Sequence, residues 1–207
     1  MKIYDISMEI HRDMQVYKNK DEKRPVIETT RDFRSSSAME SRISMDMHTG
    51  THLDMPLHFV EGGTSIESLD LNKVVTNCRV LDFSHLNEVI TAEDLKTKEF
   101  GEEKFLILKT QNSDSEEFNY NFVYLDELGA KYLKSQGIEG VGIDGLGIER
   151  AQSDYGTHKT LLESNILIIE GLRLNGISEG VYQLVALPLK IKGAEASPAR
   201  VILLDYK

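Results

Sequence analysis

The chain of 207 residues lacks tryptophan, and it has one cysteine, four prolines and few cations. The lone cysteine, Cys78, excludes an internal disulfide framework and is typical of a reducing compartment. No stretch approaches the roughly 18 apolar residues of a membrane-spanning helix, and the polar start at Met1–Ser7 indicates a strand instead of a signal peptide. With 24 Lys and Arg against 34 Asp and Glu, the formal charge of −10 argues against nucleic-acid binding. We expect a cytoplasmic protein that neither binds nucleic acid nor spans a membrane.

The composition that remains is globular, with 40% hydrophobic and 28% charged residues. The length suits one domain, which we take as residues 1–207. Short β-branched segments alternate with helical ones. The predicted strands are Lys2–Ser7, Ser41–His48, Cys78–Phe83, Phe105–Lys109, Val141–Asp144, Ile166–Glu170 and Arg200–Leu204, and the predicted helices are Thr91–Lys98, Asp126–Gln136 and His158–Glu163. The pattern predicts an α/β fold with a mixed β-sheet core and flanking helices.

Three of the six histidines lie within eleven residues, in the segment 47–59. A glycine between two threonines and a downstream proline make this segment a poor helix, unlike the helical H-E-x-x-H zinc motif. In an extended chain, alternate side chains lie on opposite faces. One face would carry His52, Asp54, Pro56 and His58, and the other Leu53, Met55, Leu57 and Phe59. The segment would then bury its apolar face and present imidazoles and a carboxylate from the other.

Strand geometry separates the candidate metal ligands in this segment. Residues two apart lie roughly 7 Å from each other, so His52 and Asp54 can share one ion. His58 would lie about 20 Å from His52 in an extended chain, whereas Gly50 allows a turn that brings His48 close. We predict His48, His52 and Asp54 as ligands, with His58 nearby as an acid/base. These N and O donors suit Zn²⁺, Mn²⁺ or Fe²⁺, and the alternative is a set of ordinary surface and capping residues.

The string HTGTHLDMPLH at 48–58 fits every fixed position of the signature H-x-G-T-H-x-D-x-P-x-H. In this the chain resembles the cyclase family of metal-dependent hydrolases, which includes bacterial kynurenine formamidases (arylformamidases) and isatin hydrolases. The agreement continues at Val141–Asp144, at 158–162 and at Ile166–Glu170. The resemblance therefore spans most of the chain, in the order and spacing of the family.

The resemblance implies a swivelling β/β/α fold, a homodimer or higher homo-oligomer, and two divalent ions, zinc or manganese. It makes His48, His52 and Asp54 ligands of one ion and His158 and Glu170 ligands of a second, with Asp54 bridging the two. His58 resembles the general acid/base of the family. The implied reaction is hydrolysis of an amide-type C–N bond by a metal-activated water, with N-formylkynurenine converted to kynurenine and formate.

The chain departs from the family where the substrate binds. Kynurenine formamidases carry a tryptophan in an early loop that stacks on the aromatic substrate, and here Tyr17 is the candidate substitute. Gly171 stands where many members have asparagine, and Gly145–Arg150 replaces a small hydroxylated stretch. Two alternatives therefore remain open. One is hydrolysis of a cyclic amide, imide or lactone at the same site, and the other is a catalytically silent, metal-dependent ligand-binding protein.

Other patterns favour structural roles. Residues 140–145 spell G-x-G-x-x-G, but the glycines flank apolar strand residues and no helix follows, so we predict a strand and no dinucleotide site. Cys78 lies among apolar residues, which favours a core position. His11 and His85 have no ligand types at useful spacing and are predicted on the surface.

Overall fold

The computed structural model describes residues 1–150 and 152–206, within which there are twelve strands and three α-helices. The strands are β1 (Lys2–Asp5), β2 (Val26–Arg31), β3 (Glu40–Ser44), β4 (His52–Asp54), β5 (Val75–Asp82), β6 (Val89–Ile90), β7 (Phe105–Lys109), β8 (Tyr124–Leu125), β9 (Gly140–Ile143), β10 (Leu167–Glu170), β11 (Gly180–Pro188) and β12 (Ala196–Asp205). The helices are α1 (Ala92–Lys96), α2 (Glu127–Ser135) and α3 (Gly156–Leu162). None of the described helices has the length and apolar character needed to cross a membrane.

Eight strands form one sheet in the order β1-β12-β11-β5-β7-β9-β10-β4. Strand β4 also pairs with the start of β12, which closes the sheet into a barrel. The central strands β5, β7, β9 and β10 are parallel, whereas the others run antiparallel to their neighbours. The prediction of an α/β protein with a mixed sheet is confirmed. Strands β2 and β3 form a separate hairpin, and β6 pairs with β8.

Strands β7, β9 and β10 are buried on both faces, as the alternation along β7 shows. Phe105 and Ile107 belong to the core that the barrel strands enclose, while Leu106 and Leu108 belong to a second core beneath the helices. Strand β9 faces the first core with glycine, and a Cβ on Gly140 would lie only 2.2 Å from the Phe105 ring. The first two glycines of the G-x-G-x-x-G string, Gly140 and Gly142, therefore make room for core side chains, which agrees with the prediction of a strand there.

Most predicted elements are present with shifted ends. Strand β7 has the predicted bounds, and α1 follows Thr91, whose side chain caps it in a reciprocal capping box with Asp94. The predicted strand Ser41–His48 is wrong in its second half, because β3 ends at Ser44 and the chain turns before His48. Strand β11 was not predicted, although its buried positions alternate as in a half-buried strand.

Candidate metal centre and active site

The histidine segment is extended only at its centre. Strand β4 holds His52 and Asp54 between β10 and β12, and both residues are buried. The prediction that residues 52–58 are all extended is wrong, because a 3-10 turn begins at Pro56 and ends at His58. This turn brings the ring of His58 back to within 4.1 Å of the His48 ring, measured between centroids. The chain thus gathers all three histidines instead of spreading them along a strand.

Two more distant elements complete the cluster. In the register between β4 and β10, Glu170 lies directly opposite His52. Helix α3 contributes His158, which is buried and reaches the same carboxylate from the other side. The structure therefore brings together all six residues that the sequence predicts for the site: His48, His52, Asp54, His58, His158 and Glu170.

Asp54 lies at the centre of the cluster. Its Oδ1 is 3.0 Å from Nδ1 of His48 and 3.5 Å from Nε2 of His52, and its Oδ2 is 3.9 Å from Nε2 of His158. Glu170 places Oε2 3.4 Å from Nε2 of His52 and Oε1 3.2 Å from Nε2 of His158. Asp54 thus faces three imidazoles and Glu170 faces two, and the two oxygens of Asp54 point to different histidines.

The potential ligand atoms fall into two compact sets that share Asp54. One set is His48, Asp54 and His58, and the other is His52, Asp54 and Glu170, with all ligand atoms of a set within 4.8 Å of one another. This grouping differs from the division that the resemblance implies, in which His48 and His52 bind the same ion. It also places His58 within reach of ligation, a possibility that the extended-chain argument did not include.

The cluster contains polar atoms that the protein itself does not satisfy. Nε2 of His52 and both carboxylate oxygens of Asp54 are buried and form no hydrogen bond with the described part of the chain. Unpaired buried polar atoms are costly, and native proteins rarely retain them without a water or an ion. Three imidazoles and two carboxylates are donors that divalent Zn or Mn accepts. The residues present therefore fit a divalent metal ion.

The second nitrogen of each buried imidazole is already engaged, as expected of a metal ligand. Nδ1 of His52 donates to the Gly50 carbonyl oxygen at 2.9 Å, and Nδ1 of His158 donates to Oε1 of Glu149 at 2.7 Å. The partly buried His48 has Nε2 3.3 Å from Oε1 of Glu195. These contacts turn the remaining nitrogen of each ring toward Asp54.

Charge complementarity shifts the pKa values in the cluster. Burial alone lowers the pKa of His52 and His158, but the neighbouring carboxylates outweigh it and raise the pKa values to about 9 and about 10. The same pairing overcomes burial at Glu170 and holds its pKa well below the usual value. His58 behaves differently, because burial lowers its pKa and the neighbouring His48 and His158 add to the effect.

A cavity of about 700 Å³ opens above the cluster. Its walls are aromatic: Phe59 packs against Tyr155 with 5.1 Å between ring centroids, and Tyr17 lies across from them in the lining. Burial raises the pKa of Tyr17, and the charges of Glu170 and Glu149 contribute to the shift. The candidate substitute for the family's tryptophan thus lies in the wall of the cavity that contains the cluster.

Sequence reasoning missed Glu149 and Glu195, the carboxylates behind two of the histidines. Glu149 is buried in the loop before α3, where its Oε2 accepts a hydrogen bond from the Thr157 N–H at 2.9 Å. Neither residue belongs to a local motif. The one available signal was the general rule that a ligating histidine needs an acceptor for its other nitrogen.

We expect Glu149→Ala to weaken metal binding, because the imidazole of His158 would lose the acceptor that fixes its tautomer and orientation. Loss of such a partner typically lowers metal affinity about 10- to 100-fold. Competition with a chromogenic chelator measures the change, and Glu99→Ala, at an exposed acidic position, is the matched control. Unchanged affinity in Glu149→Ala would show that His158 is oriented by packing alone.

Asp144 directly follows β9, lies outside the cluster and binds the loops at Thr110 and Ser113. It is buried, Oδ1 accepts a hydrogen bond from the Thr110 hydroxyl at 2.6 Å, and Oδ2 accepts one from the Ser113 hydroxyl at 2.9 Å. The Ser113 oxygen in turn accepts a hydrogen bond from the Leu174 N–H at 2.9 Å. Desolvation exceeds the effect of these donors and raises the pKa of Asp144 to about 6.

Because the folded-state pKa of Asp144 exceeds its unfolded value, protonation stabilises the fold, and this contribution is lost as the pH rises from about 4 through 6. The shift corresponds to about 3 kcal/mol. We expect the free energy of unfolding of Asp144→Asn, relative to wild type, to improve by an amount of this order between pH 4 and 7. Urea titrations at both pH values measure it. A difference that does not change with pH would contradict the raised pKa.

Comparison with known proteins agrees with this site. The model of the family described as "Putative cyclase" matches residues 4–150, which include the histidine segment. A kynurenine formamidase from Geobacillus thermodenitrificans is 35% identical over 171 residues, which cover 82% of this chain and 81% of that protein. The solved structure of a potential metal-dependent hydrolase with cyclase activity has a TM-score of 0.92 at 47% identity and covers 100% of this chain and 98% of that one.

A structure of lower sequence identity has a similar fold. Isatin hydrolase A from Labrenzia aggregata has a TM-score of 0.83 at 22% identity, covering 98% of this chain and 93% of that one, and this likeness concerns the fold alone. The family match covers well over half of the chain and contains four of the six clustered residues. The resemblance predicted from the sequence is confirmed, and the chain belongs to the cyclase family.

Proposed function

We propose that the protein hydrolyses the formamide bond of N-formylkynurenine and releases kynurenine and formate. The observation that carries the proposal is the convergence of four imidazoles and two carboxylates at an aromatic-walled cavity. The chain is a hydrolase of C–N bonds other than peptide bonds, as its sequence predicted, and its kynurenine formamidase relatives support this class.

We propose two divalent ions, zinc or manganese, which His48, His52, Asp54, His158 and Glu170 would hold. A bound divalent ion supplies Lewis acidity, which lowers the pKa of water and stabilises negative charge on a carbonyl oxygen. Asp54 and Glu170 hold the neutralising charge, and the engaged second nitrogens keep the imidazoles fixed.

The remaining residues bind the substrate and move protons. The rings of Tyr17, Phe59 and Tyr155 form a surface on which a planar aromatic group can stack. His58 lines the same cavity beside the cluster, and we propose that it takes the proton from the attacking water and gives it to the leaving aromatic amine. In balance, water adds across the formyl C–N bond, its oxygen leaves in formate, and the amine nitrogen gains a proton.

The test is simultaneous measurement of formate and kynurenine released from N-formylkynurenine by protein loaded with Zn²⁺ or Mn²⁺. We expect equal amounts of both products and no turnover after treatment with a chelator. Tight binding of metal and substrate without product would instead support the silent ligand-binding alternative. Absence of both binding and turnover with either metal would contradict the proposal.

A ring-opening hydrolase is the second candidate, favoured by the tyrosine that stands where a stacking tryptophan is expected. A cyclic amide, imide or lactone would present its carbonyl to the same cluster. A panel with one compound of each class, assayed with the loaded protein, separates this candidate from the first. Ring opening faster than formate release would make it the better assignment.

The family resemblance also implies a fold type, an oligomeric state and a cellular location. We propose the swivelling β/β/α type for the closed mixed sheet, a homodimer or higher homo-oligomer, and a cytoplasmic location, which a single buried cysteine suits. Light scattering of the purified protein tests the assembly.

A further inference from the structure

Three lysines line the cavity above the cluster, although the whole chain is acidic. Lys18, Lys20 and Lys23 line its outer part, in a protein with 34 acidic and 24 basic residues. Among the described residues of the lining, the acids are Glu149 and Glu170, and both are buried and bonded inward to His158. The lining therefore presents lysine ammonium groups, and its two carboxylates are already engaged with His158.

The three lysines are not equally available. Lys23 pairs with Asp46 at 3.0 Å, and Lys20 lies 3.8 Å from Glu22. Lys18 is exposed and has no acid within ion-pair distance in the described ranges 1–150 and 152–206. Its ammonium lies 5.2 Å from the centroid of the Tyr17 ring. A free cation is thus placed beside the aromatic wall.

The backbone holds Lys18 in an unusual conformation. Its φ is 59°, in the left-handed region that non-glycine residues rarely adopt, and Asn19 follows with φ 50°. The Tyr120 hydroxyl donates to the Lys18 carbonyl oxygen at 3.0 Å and helps to fix this turn. Strained backbone conformations are found most often at binding and active sites, because they persist only where the surrounding structure fixes them.

We propose that Lys18, supported by Lys20, binds a carboxylate of the substrate, so that the site selects aromatic formamides that carry a carboxylate. The inference rests on the proposed formamide hydrolysis and names its substrate class. A ring stacked on Tyr17 directs one substituent toward the cluster and another toward the ammonium of Lys18. The reacting group and the recognised charge are then separate substituents of the same ring.

Two probes with the same formamide separate charge recognition from catalysis. 2-Formamidobenzoate carries a carboxylate, and formanilide is neutral. For wild type, we expect the higher kcat/KM with 2-formamidobenzoate, and a preference that shrinks as ionic strength rises from about 0.05 to 0.5 M. Equal kcat/KM for the two probes at low salt would overturn the proposal.

Lys18→Gln removes the charge at an exposed position. We expect KM for 2-formamidobenzoate to rise about 5- to 10-fold with kcat nearly unchanged, and the constants for formanilide to stay as in wild type. Lys18→Arg restores the cation and should recover most of the loss. Lys190→Gln removes a similar exposed charge away from the cavity and should change neither probe. Equal effects of Lys18→Gln on both probes, or no effect, would overturn the assignment.

Binding distinguishes failure of this inference from failure of the proposed function. If wild type hydrolyses neither probe, calorimetric titration with 2-aminobenzoate and with aniline replaces the kinetic assay. Tighter binding of 2-aminobenzoate by wild type, weakened in Lys18→Gln, would support carboxylate recognition without formamide hydrolysis. Equal binding of 2-aminobenzoate by the two proteins would overturn it.

Discussion

Replacing Asp54 by asparagine will remove bound metal and lower turnover of the loaded enzyme by at least about 10³-fold. This effect exceeds the roughly 10- to 100-fold loss typical when a residue that hydrogen-bonds to a metal ligand is replaced. The carboxylate is fully buried, and its two oxygens face different histidines. Asparagine keeps the shape but presents one oxygen in place of two and removes the negative charge. Both candidate ligand sets contain Asp54, so we expect both ions to be lost together.

Metal content by elemental analysis, measured beside formate release, tests the Asp54→Asn result. Asp13→Asn is the matched control and should retain metal and activity, because Asp13 is exposed and belongs to neither ligand set. Thermal unfolding in the presence of chelator checks that the variant folds. A variant that keeps both ions with near-normal affinity would contradict the bridging position of Asp54.

Features of the site that depend on residues close in sequence could be predicted, whereas features that depend on residues far apart in sequence could not. The secondary structure follows from local patterns, such as the apolar run of β7 and the cap at Thr91. The candidate ligands follow from the local string at 48–58. The turn at Pro56 brings His58 back toward His48. The interpretation of residues 52–58 as one extended strand did not include this turn. A proline two residues after Asp54 was the available signal.

Other features depend on long-range pairing that no local pattern encodes. Strand β4 is three residues long, and it is stabilised by neighbours at 168–170 and 196–198. Glu149 reaches His158 through a loop conformation, and Glu195 reaches His48 from the start of another strand. Their roles arise from the closed barrel, so they could be assigned only after the fold was known.

His58→Ala should lower kcat about 10²- to 10⁴-fold while metal content stays unchanged, because a residue that moves protons acts on the reaction and not on the ions. His58→Gln keeps more of the side-chain volume and should show the same pattern. Steady-state kinetics with N-formylkynurenine and elemental analysis give both readouts. His85→Ala, at an exposed histidine, is the matched control and should behave as wild type.

The leaving group then separates proton transfer from ligation. Ring centroids of His58 and His48 lie 4.1 Å apart, and His58 can also reach a ligand set with Asp54, so geometry alone permits either role. If His58 protonates the departing amine, 4-nitroformanilide should lose less rate in His58→Ala than formanilide does, because 4-nitroaniline is the better leaving group and depends less on that proton. Loss of an ion together with an equal fall for both substrates would instead assign His58 to the metal, and the proton carrier would have to be sought elsewhere in the cavity.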